Sequence, residues 1–389
     1  MKAAPIYLDH AATTPCAPEV IAAMQPYWAD HIGHAGAAGM AGRRAAGVIE
    51  EAKKDIAALI GAAAEAITLT SGATESNALA LLGAAAARKD RTRNEIVISA
   101  AEHDSLRGAA QILAAQGFTI NLIPVTAAGE VTPQTLAKML SPKTFLVSIQ
   151  AAGHETGVLQ DIPALAKLAH AAGALFHTDA AQAAGKIEIE AAAWGADMLT
   201  LSAHKIYGPQ GIGALYVRAA PPLMIAPLLG GSGVQSLRPG TLPLALAAGF
   251  GAACRLAALR READARIAAE IRGVFLSKLA ARGVDFLQNG ALAEKTLPHI
   301  LNIRIKNIDA ADMMLALAGD IAFSTGAACR SGKPSSVLGA MGLTAAESAQ
   351  SIRICFGRGI GAADAQQAAD LIADYAAGTA GAAAGAGIG

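Results

Sequence analysis

The stretch LTLSAHKIYGPQG, residues 199–211, is an apolar run that ends in Ser202, Ala203, His204 and Lys205 and then enters a glycine turn. A lysine delivered by the carboxyl end of a buried strand is partly desolvated, and such an amine can form a Schiff base with a carbonyl compound. Taken alone, Lys205 reads more simply as a lysine paired with a neighbouring acid. Other apolar runs end in equally reactive types. FHTDAAQ ends in Asp179, a carboxylate that needs a cation if buried. A protonated pyridine nitrogen would serve, and capping of the next helix is the structural alternative. In SGATESN, residues 71–77, Gly72 permits a tight strand-to-helix turn, after which Ala73 and Thr74 offer amides, and Thr74 a hydroxyl, to an anion. Ser202 and His204 could close that cradle. His103 in AEHDS ends a further strand and suits ring stacking and proton transfer, or an ordinary structural role.

A reactive lysine, a ring-nitrogen acid, a phosphate cradle and a stacking platform are together what pyridoxal 5'-phosphate requires. Two further residues suggest what would react there. Cys329 lies in STGAACRSGKPSS, a glycine- and serine-rich loop in which Arg330 and Lys333 favour thiolate over thiol. Cys16, Cys254 and Cys355 stand in more regular or proline-bounded contexts and read as packing residues. Arg353 alternates with apolar neighbours in SIRICFG; an inward arginine needs an anion, either a substrate carboxylate gripped by its fork or an internal acid.

For these residues to meet, the chain must bring several strand ends to one edge. Segments such as AITLTSGATESNALALLGAAAARK and EIVISAAEHDSLRGAAQILAAQG repeat one plan, an apolar run, a polar turn and a helical pattern. That alternation predicts an α/β fold, a mainly parallel sheet with helices on both faces. Ligands of such sheets bind outside the carboxyl ends of the strands. From about residue 250 the texture changes to a long helical pattern, then HILNIRI and SIRICFG, which predicts a smaller α+β domain. The expected division is a large cofactor-binding domain over 15–249, a small domain from 1–14 and 250–375, and a flexible alanine–glycine tail over 376–389.

The bulk composition is consistent with this. At 389 residues the chain can bury a large core, and 31 Lys and Arg against 31 Asp and Glu leave no net field to favour nucleic acid or a membrane surface. The uncharged stretches 219–237 and 239–254 are broken by proline and glycine and do not read as membrane spans. With no signal-peptide pattern at the N-terminus and no CxxC spacing, the expectation is a cytoplasmic protein without disulfides or structural zinc.

With these motifs assembled, the sequence resembles the cysteine desulfurases, pyridoxal-phosphate enzymes of the class V aminotransferase group. The resemblance runs from YLDHAATTP to IRICFGR and is carried by TSGATESN, HTDAAQ, SAHKIYGPQGIGALYV, RPGT and STGAACRSG. It implies Lys205 as the cofactor's Schiff-base lysine, Asp179 on the ring nitrogen, Gln182 on the ring hydroxyl and His103 stacked on the ring. Ala73, Thr74, Ser202 and His204 would hold the phosphate, and Thr241 would reach the phosphate of a neighbouring subunit in a homodimer. Arg353 would take the carboxylate of L-cysteine. Cys329 would accept the sulfur as a persulfide, release L-alanine, and pass the sulfur to an iron–sulfur cluster assembly scaffold or another acceptor. No resident metal is implied; Cys329 alone could meet an iron–sulfur cluster transiently. The same fold also hosts selenocysteine lyases and aminotransferases, and a decayed cofactor-binding scaffold is a third reading. Three departures bear on these alternatives. Gly153 and His154 stand where the family usually has two asparagines, with His154 still able to hydrogen-bond the cofactor oxygen or the substrate. HAGAAGM at 34–40 replaces a family motif. The loop from Cys329 to Pro334 is about two residues short of the family's usual length.

Overall fold

The computed structural model describes residues 5–88, 90–325 and 334–386. In chain order the strands are β1 (Ile6–Tyr7), β2 (Ile67–Thr70), β3 (Glu95–Ser99), β4 (Thr119–Ile123), β5 (Thr144–Ser148), β6 (Leu175–Asp179), β7 (Met198–Ser202), β8 (Gly213–Val217), β9 (Phe286–Gln288), β10 (Ile300–Ile305), β11 (Ile321–Ala322), β12 (Ser324–Thr325) and β13 (Ser351–Cys355). A seven-stranded sheet has the order β2-β8-β7-β6-β5-β3-β4. Its strands are parallel except β8, which runs antiparallel to both β2 and β7. This is the α/β architecture the alternating segments predict.

Burial follows the period of two expected of a strand. Ile96, Ile98 and Leu146 pack on one face with the helices Ala73–Ala87 and Asp104–Ala115. Val97, Val147 and Phe176 pack on the other with the helices Met40–Leu59 and Ile162–Ala171. The central strands β5 and β7 are buried throughout. They therefore read as continuous apolar runs, and a strand buried on both faces has no side on which to carry charge. Because β3, β5, β6 and β7 run the same way, Ser99, Ser148, Asp179 and Ser202 end on one edge of the sheet.

A second sheet, β12-β13-β10-β9, is antiparallel and packs Leu301, Ile303, Ile352 and Ile354 into a separate core. The N-terminal segment belongs to both cores: β1 pairs with β11 and Leu8 enters the small core, whereas Ala11 enters the large one. The boundary expected at 249/250 falls inside the helix Leu244–Ala281. Phe250, Ala253 and Ala257 of that helix pack on the large core, and Ile271, Phe275 and Leu279 on the small one. One rigid rod thus serves both, which a change of residue texture does not disclose. Gly185, at φ 68°, lets the turn after β6 lie against this rod, since a Cβ there would fall 2.8 Å from Ala257 Cβ. The tail also departs from expectation, because the helix Ala362–Ala386 runs through the boundary drawn at 376. Alanine is the best helix former, and the docked first turns remove the nucleation cost. Among the described residues no helix is long and apolar enough to cross a membrane.

At the centre of the large sheet His177 is fully buried, with Nδ1 2.7 Å from Ser148 Oγ and Nε2 3.1 Å from Thr200 Oγ1. Burial lowers its pKa to about 3. Between the unfolded value near 6.5 and that point, the unfolded chain binds a proton the folded one refuses. Stability is therefore lost as pH falls from about 6.5 towards 3, at roughly 1.4 kcal/mol per pH unit for this one group. His177→Gln is expected to flatten the acid limb of a urea-midpoint-versus-pH plot by that one-proton slope.

Candidate active site

The strand ends open into a cleft of about 860 Å³. Ala73, Thr74, His103, His154, Asp179, Gln182, Ser202, His204, Lys205 and Arg353 all line it. Thr241 does not; it is exposed on the segment leading into the helix Leu244–Ala281. Cys329 lies outside the described residues. The described residues on either side of it, Ser324, Thr325 and Ser335, line the cleft.

Lys205 ends a single turn that follows β7. Its Nζ donates to the carbonyls of Ala11 at 2.5 Å and Ala12 at 2.7 Å. Burial first, and then the nearby Arg353 guanidinium, lower its pKa to about 8. No carboxylate among the described residues forms a salt bridge with it, so the simple reading of a lysine paired with an acid does not hold in this fold. The Ala11 carbonyl also accepts from Gln182 Nε2 at 2.9 Å, which ties the N-terminal segment to the floor of the cleft.

Asp179 is 8 % exposed. Its Oδ1 accepts from the Ala181 N–H at 2.9 Å and its Oδ2 from Asn77 Nδ2 at 2.7 Å. Among the described residues no cation pairs with it. A buried carboxylate facing a cleft with two neutral donors and no counter-charge suits a cationic ring nitrogen. The phosphate end is equally open. The helix Ala73–Ala87 starts at Gly72, whose φ of 151° favours glycine, and no side chain caps it. Ser202 Oγ is buried without a hydrogen-bond partner. His204, lowered to about 4 by burial and then by Lys205, is neutral and keeps Nδ1 3.1 Å from Thr13 Oγ1. An uncapped helix start, an unpartnered hydroxyl, an unpaired acid and an activated amine are a donor set that fits pyridoxal phosphate.

His103 caps the helix Asp104–Ala115, its Nδ1 accepting from the Ser105 N–H at 3.1 Å. That bond leaves Nε2 to carry the proton of the neutral ring. Its ring meets that of His154 edge-on, with centroids 5.2 Å apart. His154 is held well below the usual histidine range by burial, then by His103, Arg353 and Lys205. Arg353 answers both of its sequence readings in part. Its Nη2 pairs with Asp9 Oδ1 at 2.7 Å and Ser324 Oγ at 3.0 Å, and its Nη1 donates to the His154 carbonyl at 2.9 Å. Thus an internal acid holds it, yet it still lines the cleft, and its Nε is buried without a partner.

Sequence reasoning missed three contributors. Asp9 stands in YLDHAATTP and Asn77 at the end of TSGATESN, motifs already singled out, but nothing local marks their partners. Glu102, 1 % exposed, accepts the Gln150 N–H at 2.7 Å on Oε1 and leaves Oε2 unpartnered. Burial, followed by the Asp179 charge, pushes its pKa well up. The adjoining His103 was the only signal for it.

A family model described as Aminotransferase class-V matches residues 6–367. The chain belongs to the class-V aminotransferase family. Among curated proteins it is 40 % identical to a cysteine desulfurase IscS of Anaeromyxobacter sp. (strain Fw109-5), over 91 % of this chain and 88 % of that protein. It is 37 % identical to the cysteine desulfurase IscS of Rickettsia akari (strain Hartford), over 91 % and 87 %. Among solved structures, a NifS-like protein superposes with a TM-score of 0.89 at 28 % identity, over 95 % of this chain and 99 % of that one. A structure described as SspA in complex with cysteine superposes with a TM-score of 0.81 at 32 % identity, over 90 % and 99 %.

In this member of the family the Asp9–Arg353 pair has little exposure, with side chains 17 % and 11 % accessible. Removing one partner strands the other charge. Asp9→Ala is expected to cost about 3 kcal/mol in urea unfolding, and Asp9→Ala with Arg353→Met is expected to recover part of that loss.

Proposed function

We propose that this protein is a pyridoxal-phosphate-dependent cysteine desulfurase that takes sulfur from L-cysteine and releases L-alanine. The observation that carries the reading is the convergence of Lys205, Asp179 and the Ser202 hydroxyl on one cleft whose rim bears both flanks of Cys329. The names of the relatives and the cysteine-bound neighbour support the same reading.

Bound pyridoxal phosphate supplies an electron sink for carbanion chemistry at the substrate's α-carbon. Lys205 would anchor it covalently, Asp179 would keep its ring nitrogen protonated, and Gln182 would meet the ring hydroxyl. The Ala73 and Thr74 amides, with Ser202 and His204, would hold the phosphate. The Lys205 amine, with its lowered pKa, would serve as the base for the Cα proton near neutrality. His103, with its proton on Nε2, would stack on the ring and move a second proton. Arg353 and His154 would orient the substrate carboxylate, and the Asp9 and Ser324 bonds fix the guanidinium for that task. The Cys329 thiolate then attacks the substrate sulfur. An S–S bond forms as the Cβ–S bond breaks, and the electron pair of that bond stays with carbon, which becomes the methyl group of alanine after protonation. Cys329 is left as a persulfide to be passed to an iron–sulfur scaffold or another acceptor.

The active unit is proposed to be a homodimer. Trp28, Ile32, Met40, Met224 and Leu229 are more than half exposed on the segments 28–40 and 224–229. A Cβ at Gly36 would lie 3.9 Å from Val234 Cγ2, so the first segment passes beside the stretch that follows the second. Large apolar groups gathered on a surface mark an interaction face, and Thr241 lies a few residues beyond it.

With purified protein, L-cysteine and a thiol reductant, wild type is expected to form alanine and sulfide in equal amounts. Cys329→Ser should keep the bound cofactor's visible absorbance and lower sulfide release by about 100-fold or more. Cysteine turnover to alanine and sulfide unchanged in that variant would exclude the persulfide route and favour another reaction of the same fold. Lys205→Ala should lose the absorbance band of the covalently held cofactor. In cofactor-free wild type, covalent capture of pyridoxal phosphate needs the neutral amine. Its rate should rise with pH and level off above about 8, where an ordinary lysine would still be climbing towards 10.

A further inference from the structure

A second cavity, of about 260 Å³, shares no lining residue with the cleft and is walled by Tyr207, two residues after Lys205. Three parts of the chain bring cations to it. The turn after β6 brings Lys186, the helix Leu244–Ala281 brings Arg260 and Arg261, and the segment after β13 brings Arg358. Four cations face one carboxylate, Asp264.

That carboxylate is already engaged. Arg358 holds it through Nε at 2.8 Å and Nη2 at 2.7 Å, and Arg260 Nε lies 3.7 Å from its other oxygen. The remaining donors are left over. Arg358 Nη1 is buried without a partner. Among the described residues Lys186 Nζ makes no hydrogen bond or salt bridge; its contact is the Tyr207 ring, 5.0 Å to the centroid. Burial, then Arg358, lower the Lys186 pKa to about 8, the mark of a cation short of counter-charge. His299, buried and held well below its usual pKa by burial and then by Lys186 and His10, adds a neutral imidazole and no negative charge.

A buried guanidinium N–H and a half-buried ammonium, each without an acceptor, are costly unless an anion joins them. The guanidinium supplies a directed donor and the ammonium a point charge, and together they suit an anion with oxygens on more than one side. The volume holds such an ion with several waters. We propose that this cavity is a second binding site, for a small oxyanion of the phosphate or sulfate class, held by Lys186, Arg358 and Arg261. Hydrogen bonds through Tyr207 link this cavity to the segment that carries Lys205. Its hydroxyl accepts the Arg358 N–H at 2.8 Å, its own N–H donates to Thr14 Oγ1 at 2.8 Å, and Thr14 Oγ1 donates to the His204 carbonyl, also at 2.8 Å.

The test titrates inorganic phosphate, and separately sulfate, into the full chain by calorimetry, with chloride keeping ionic strength constant. It is run with and without saturating pyridoxal phosphate, so that the phosphate cradle of the cleft is blocked in one arm. One saturable site per chain that persists with the cofactor bound is expected, with a rise in Tm on addition of phosphate. Lys186→Gln and Arg261→Gln should each weaken it by about tenfold or more while leaving the cofactor's visible absorbance unchanged. Arg261→Gln, on the outer helix, decides alone if Lys186→Gln does not fold. Absence of saturable binding, binding that disappears when the cofactor is present, or an affinity unchanged in the folded variants would each overturn the proposal. None of these readouts is catalytic turnover, so they stand or fall apart from the desulfurase reading.

Discussion

The cleft depends on one arrangement, a lysine ammonium taken out of water and given carbonyls in place of a carboxylate. Two carbonyl dipoles from Ala11 and Ala12 hold Lys205 Nζ in place without supplying the full negative charge that would stabilise its protonated form. Burial and Arg353 then act unopposed by any contact ion pair, and the amine becomes a usable nucleophile and base near neutral pH. Had the nearby acids reached Nζ directly, the same lysine would have stayed charged. Asp179 is instead kept on Asn77 and the Ala181 amide, and Asp9 on Arg353 and Ser324. The site keeps its two acids and its amine apart by giving each acid other donors.

This arrangement explains why the fold joins its two cores so closely. The carbonyls that hold Lys205 belong to a segment whose preceding strand, β1, is paired in the small domain, whereas Lys205 itself ends a strand of the large sheet. Arg353 comes from β13 of the small sheet and meets the His154 carbonyl on the large side. A hinge between the cores would move these partners relative to one another. The helix Leu244–Ala281, packed into both, opposes such a motion along its whole length.

How far the site could be read in the sequence follows from how its residues are held. Lys205, Asp179 and Ser202 were legible because each ends an apolar run, and parallel strands deliver their carboxyl ends to a common edge whatever their exact order. The cradle at Gly72 was legible from the turn chemistry alone. Asp9 was not, because its meaning comes from Arg353, 344 residues away. Glu102 and Asn77 were passed over for a related reason, since their types are common near helix starts and only the third dimension turns them towards Gln150 and Asp179. The boundary drawn at residue 250 falls inside a helix. Texture changes inside the helix at 244–281 because the helix changes the core it faces, and the chain neither turns nor breaks there. Alanine-rich sequence at the C-terminus likewise signalled low complexity where it forms helix.

The resemblance to cysteine desulfurases implies an asparagine where this chain has His154, and that difference can be weighed in the same terms. An amide is neutral at every pH, and an ordinary imidazole is not. A charged ring there would repel both Lys205 and Arg353 and would oppose the cofactor's ring nitrogen. The surroundings prevent this: burial and four neighbouring basic groups, His103 first among them, hold His154 neutral. A neutral imidazole still offers one donor and one acceptor, as the amide did, but on a rigid ring whose edge meets His103. The exchange therefore preserves the charge of the cleft while replacing a flexible hydrogen-bonding group with a rigid ring set edge-on to His103, and the burial and the Arg353 charge that make Lys205 reactive also keep the histidine neutral.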